Sequence, residues 1–150
     1  MASEKFAQRM RDPSVAHDVR VVADFIRIWC DGNHRDRVRG VAPTEGGALG
    51  VYRKRHVLCA ECAEHLVYAE KRRAYCPMDP KPFCAHCDSQ CYSPSEQEWQ
   101  RTMMRYSGPR SVLHGHAIDG IKHALEARRY RTETVRKAAE ASAQADEETS

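Results

Sequence analysis

The sequence has no apolar run near the roughly 18 residues that a membrane-spanning helix needs. Its best stretch, Val19 to Trp29, is interrupted by Arg20, Asp24 and Arg27, so no membrane partner is expected. Residues 1–11 lack a hydrophobic leader segment, and an unexported, cytoplasmic protein is expected. Charge of one sign is also scarce. Against 24 Lys and Arg stand 21 Asp and Glu, a net charge of +3 over 150 residues, too small to argue for a nucleic-acid partner. Only a helix–Gly-Pro–helix layout around Gly108-Pro109 points towards nucleic acid. Aromatic residues are 7% of the chain, and a core this lean needs stabilisation from another source. No Gly-rich phosphate loop, G-x-S-x-G or H-E-x-x-H motif occurs. No catalytic residue is assigned, and the partner is expected to be a protein or a small molecule.

Cysteine and histidine are plentiful: seven and eight residues. A reducing cytosol does not favour a disulfide framework, and an odd number of thiols cannot pair fully within one chain. Cys59-x2-Cys62 and Cys84-x2-Cys87 are two close thiol pairs. Cys76 precedes the second pair and Cys91 follows it, while Cys30 and His34 stand upstream in a C-x3-H spacing. Seven Cys and one His make eight soft ligands, and two tetrahedral sites need eight. Cys76, Cys84, Cys87 and Cys91 lie within sixteen residues and can close one site locally. That leaves Cys30, His34, Cys59 and Cys62 for a second, although an interleaved pairing fits the same count. The expected cofactor is zinc, one or two ions, because mixed Cys/His sets favour it. The all-cysteine set Cys76/Cys84/Cys87/Cys91 would equally suit a [4Fe–4S] cluster.

The fold is expected to be mostly α, about four helices around a Cys-rich metal-binding knuckle. Asp12-Pro13 is a helix-start signal, and Val15, Val19, Val22, Ile26 and Trp29 follow on one face until Cys30-Asp31-Gly32. Residues 31–57, Gly-rich and basic, read as a long mobile loop. A second helix is predicted from about Cys59 to Arg73. A third starts at the capping box Ser93-Pro94-Ser95-Glu96 and stops at Gly108-Pro109, and a fourth spans about Ser111 to Arg129. Residues 1–11 are expected to be a disordered start, 12–130 a single domain, and 131–150 a disordered tail. Four further residues are candidates to partner metal-bound thiolates: Arg105, Arg110, His116 and His123. The alternatives are exposed arginines at a helix corner and histidines packed on a helix face. His116 and His123 sit about 10 Å apart along a helix and cannot chelate one ion together.

Several segments resemble the nitrous-oxide-stimulated promoter family of small, Cys-rich bacterial proteins. They are Trp29-Cys30 with His34, Tyr68-Ala69-Glu70-Lys71-Arg72, Cys76-Pro77, Lys81-Pro82-Phe83-Cys84-Ala85-His86-Cys87, Cys91-Tyr92 and Met104-Arg105-Tyr106-Ser107-Gly108-Pro109-Arg110. His116 and His123 match histidine positions of the family's last helix. The resemblance implies a role in the bacterial response to nitric oxide and related species, and it supplies no reaction. Two kinds of protein are compatible with it: a zinc-stabilised binding or interaction module, and an iron–sulfur redox or NO-sensing protein.

A structural metal contributes on the order of 10 kcal/mol in a small site, comparable to the 5–15 kcal/mol net stability of a domain. Cys84→Ser or Cys87→Ser is therefore expected to strip metal and lower the melting temperature sharply. A variant with wild-type metal content and an unchanged melting curve would remove these thiols from the ligand set.

Overall fold

A computed structural model of the chain describes residues 3–76 and 92–148, apart from the side chains of residues 114, 117, 119, 120 and 123. Cys84, Cys87 and Cys91 of the expected knuckle lie outside the described residues. The chain divides into two compact units, Met1–Gly115 and His116–Ser150. The first therefore ends at Gly115, where the sequence reading carries the domain on to residue 130. Among the described residues, no helix is long and apolar enough to cross a membrane.

The first unit begins with α1, Glu4–Met10, capped by the Ser3 hydroxyl, which accepts from the Phe6 N–H. The expected disordered start is corrected here. Phe6 is fully buried, and Met10 joins it in a cluster with Val15, Val19, Val51 and Ala74. Two apolar side chains one helical turn apart are enough to dock so short a helix.

α2, Pro13–Asn33, starts where the sequence signals: Pro13 occupies its first turn and the Asp12 carboxylate accepts from the Ser14 N–H at 2.9 Å. The stripe of Val15, Val19 and Ile26 is buried. The helix packs against both α4, Ala60–Ala74, and α5, Pro94–Ser111.

The expected mobile loop at 31–57 carries structure. β1, Arg39–Val41, pairs antiparallel with β2, Val57–Cys59, in the register Arg39↔Cys59, Gly40↔Leu58, Val41↔Val57. Between them lies the single turn α3, Glu45–Ala48, capped by the Thr44 hydroxyl. Polar ties that no hydropathy pattern shows hold this segment down. Arg20 donates to the Val51 carbonyl at 2.6 Å, and His56 meets Asp24 at 2.9 Å. Glu70 of α4 accepts from the Gly46 N–H at 3.4 Å and from the Tyr52 hydroxyl. Gly46 leaves room for this carboxyl, because a Cβ would fall 2.6 Å from Glu70 Oε1.

α5 opens on Ser93, whose hydroxyl accepts from the Glu96 N–H at 3.3 Å. It runs through Gly108-Pro109 to Ser111, past the expected stop. The left-handed residue that turns the chain is Gly115, with φ of +88°, after a 3-10 turn at Val112–His114. Ser107, fully buried, donates to the Phe25 carbonyl at 2.7 Å and fixes α5 on α2.

The second unit holds one helix, α6, Ala117–Glu148. Where the sequence reading expects a disordered tail from 131, the helix continues with exposed residues to Glu148. Its turns carry i,i+4 ion pairs, Lys137 with Glu133 and Arg136 with Glu140, which supply local support without a core.

Two outcomes are expected of unit one. Phe6→Ala removes a fully buried aromatic ring and should cost about 3–5 kcal/mol in chemical denaturation; no measurable loss would mean that α1 is not docked. Glu70 is 2% exposed, and burial pushes its carboxyl up against the opposing hydrogen bonds from Tyr52 and Gly46. The folded state therefore favours the protonated carboxyl. Its contribution to stability is full below the ordinary glutamate range and lost as pH rises through the raised value. Glu70→Gln should flatten this part of a melting-temperature–pH profile, and an unaltered profile would refute it.

Candidate metal centre

The C-x3-H spacing places Cys30 and His34 one turn apart at the end of α2. His34 is the C-cap, its N–H donating to the Cys30 carbonyl at 2.9 Å. Cys59 is both the last residue of β2 and the N-cap of α4. Cys62 lies in the first turn of α4, where the helix dipole favours negative charge. The β1–β2 pairing brings the start of α4 to the end of α2.

The ligating atoms of Cys30, His34, Cys59 and Cys62 all lie within 4.8 Å of one another. His34 Nδ1 stands 3.4 Å from Cys59 Sγ and 3.3 Å from Cys62 Sγ. Around tetrahedral zinc, with Zn–S about 2.3 Å and Zn–N about 2.0 Å, neighbouring S and N donors sit about 3.5 Å apart. The donor set and its spacing therefore fit a tetrahedral ion, and this Cys3His group can hold a metal.

Its electrostatics call for a cation once the thiols ionise. Cys30, Cys59 and Cys62 are almost fully buried. Burial pushes Cys30 up, and it pushes Cys62 strongly up with help from the negative charge of Cys30 and Cys59. Burial also raises Cys59, but hydrogen bonds from Cys62 and Arg37 outweigh it and leave that thiol below its ordinary value. Three thiolates cannot coexist here without a positive ion among them. Burial, with Arg37 next, holds His34 below its usual range, which keeps the imidazole neutral and ready to ligate.

The chain around these four side chains is fixed by residues that sequence reasoning did not single out. Arg39 donates to the carbonyls of Cys30 at 2.9 Å and His34 at 3.3 Å and pairs with Asp31, so it closes the C-terminal end of α2. Arg37 donates to Cys59 Sγ at 3.8 Å and pairs with Glu61. The backbone N–H of Cys59 donates to Cys30 Sγ at 3.4 Å. The Trp29 ring meets His34 edge-on, 6.2 Å between centroids, and Tyr106 at 5.4 Å. Gly32 makes room for Tyr106, whose hydroxyl would lie 1.9 Å from a Cβ. The alternation Arg35, Arg37, Arg39 was the available signal, and without the strand it reads as a solvated basic loop.

Of the other candidate residues, Cys76 is half-buried, and its carbonyl accepts from Arg9 at 3.2 Å. Its three expected co-ligands are outside the described residues. Arg105 is exposed on α5. The Arg110 guanidinium stacks on Tyr106 at 3.7 Å and donates to the Tyr106 carbonyl at 2.8 Å. His116 belongs to the second unit, as does His123, whose side chain is outside the described set.

The profile of the family described as "Nitrous oxide-stimulated promoter" matches residues 13–136, which include all eight candidate ligands. The chain belongs to this family. It is also 38% identical over 64 residues to "Uncharacterized protein YgbA" of Escherichia coli (strain K12). That match covers 42% of the chain and 54% of the relative, about half of its length. No solved structure matches. The family resemblance noted at Trp29-Cys30 and His34 thus falls on two of the four residues that the fold brings together.

Proposed function

We propose that this member of the nitrous oxide-stimulated promoter family is a cytoplasmic zinc-binding protein of the bacterial nitrosative stress response. It would act as a binding or interaction module. The observation that carries this reading is the convergence of three cysteine sulfurs and one imidazole nitrogen within 4.8 Å from two helices and a strand end. Residues so far apart in sequence meet at ligand spacing only through the fold. Four protein donors fill a tetrahedral ion, so zinc here is structural, with no open position for an activated water. When bound, zinc supplies the positive charge that the three thiolates need. Cys30 and His34 then tether α2, Cys59 the hairpin, and Cys62 the first turn of α4. The assignment to nitrosative stress leans on the family's description.

Metal per chain, measured on anaerobically purified full-length protein, tests this. Cys62→Ser should lose about one equivalent of zinc relative to wild type. His34→Ala should bind the ion more weakly and leave Cys59 and Cys62 open to alkylation. Equal metal content and equal thiol protection in all three proteins would refute the site. A brown, iron-containing preparation that loses its colour in Cys62→Ser would replace zinc with an iron–sulfur cluster.

A further inference from the structure

We propose that the Arg37–Glu61 pair regulates this metal site, with Arg37 holding the Cys59 thiolate by a hydrogen bond and slowing release of the ion. The proposal rests on the metal-binding reading above and adds to it the residues that set the lifetime of the bound metal.

Charge comes first. Three thiolates, a neutral imidazole and a divalent ion sum to one negative charge inside a largely buried pocket. Two arginines stand beside it, and their donors are spent differently. Arg39 is committed to two main-chain carbonyls and to Asp31. Arg37 is the one described arginine that donates to a ligand sulfur, Cys59 Sγ at 3.8 Å. The same Nη1 pairs with Glu61, two residues beyond Cys59 in the first turn of α4. Glu61 thus fixes the guanidinium against the sulfur and tethers it to the element that carries both Cys59 and Cys62.

Exposure comes second. Cys30, Cys59 and Cys62 are at most 2% exposed, whereas the side chains of Arg37 and Glu61 are 47% and 46% exposed. The pair therefore joins solvent to a ligand that solvent barely touches. A hydrogen bond to a metal-bound thiolate stabilises the net negative charge of the site and fixes the sulfur in ligating position, which disfavours departure of that ligand. A half-exposed ion pair contributes little to folding, so Arg37 can be altered with the core intact. Its position is explained by the sulfur it serves. Any polar or anionic partner that draws Arg37 or Glu61 outward would loosen Cys59, and with it the ion.

The test uses full-length protein loaded with zinc and, separately, with cobalt(II), as wild type, Arg37→Ala, Arg37→Lys and Glu61→Gln. Transfer of zinc to a chromophoric chelator should be about 10-fold faster in Arg37→Ala. Arg37→Lys should restore part of the difference, because an ammonium keeps charge and a donor on a shorter side chain without the planar guanidinium. Glu61→Gln should fall between wild type and Arg37→Ala. In the cobalt form, the sulfur-to-metal charge-transfer band should move to lower energy in Arg37→Ala and partway back in Arg37→Lys, a signature that a purely structural role would not move. Wild-type transfer rates and an unshifted band in folded, fully loaded Arg37→Ala would overturn the role of Arg37 and leave the metal site standing. A wild-type chain whose zinc content does not depend on Cys62 would overturn both. Should Arg37→Ala fail to fold, Arg37→Gln carries the same two readouts.

Discussion

Three buried sulfurs facing one imidazole within 4.8 Å impose the constraint around which unit one is arranged. Thiolates repel at that range, and their burial removes the water that would screen them. Protonated, they are a tight cluster of weakly polar groups that fills the centre of the main core beside Ile26, Leu58 and Leu66. Deprotonated, they demand a cation. The same atoms thus serve as core when reduced and protonated and as a ligand set when charged, and the surrounding polar groups accommodate the second state. Arg39 seals the end of α2 against its own carbonyls, Arg37 faces the one sulfur with a lowered pKa, and the Cys59 N–H points at Cys30 Sγ.

A second buried polar group, Glu70 with Tyr52 and Gly46, does for the 31–57 segment what the sulfurs do for the helix ends. It ties a stretch with few apolar residues to α4. Together with His56–Asp24 and Arg20–Val51, it explains how a chain poor in aromatic residues orders a long connection. These are specific contacts, which add uniqueness to a fold more readily than net stability.

Much of the helix placement was legible because its signals are local. Asp12-Pro13, Ser93-Pro94 and the stripe Val15–Val19–Ile26 each act within a turn or two. The grouping of Cys30, His34, Cys59 and Cys62 was legible from ligand counting. What the sequence concealed depends on pairing at a distance. The β1–β2 hairpin has strands of only three residues, too short for an alternating pattern to stand out. Gly108-Pro109 looked like a stop because both residues disfavour helix, yet buried Ser107 and Ser111, hydrogen-bonded to the Phe25 and Gly108 carbonyls, hold the helix across it. Phe6 and Met10 looked like isolated apolar residues in a polar start, since their partners Val51 and Ala74 are more than forty residues away.

Cys59 ends a strand and begins a helix, and α4 has no side-chain hydrogen bond at its N-cap. In an ordinary helix a serine or aspartate oxygen fills that role and belongs to the helix alone. Here the residue at the cap also closes a sheet register with Arg39 and faces a histidine from another helix. One strand ends and one helix begins on this sulfur-bearing residue, and the cap of a second helix faces it. A substitution at that residue therefore touches the end of the hairpin, the start of α4 and the histidine that closes α2 together. Cys59 is in effect a keystone, since a strand end, a helix start and the approach of a second helix all bear on one residue.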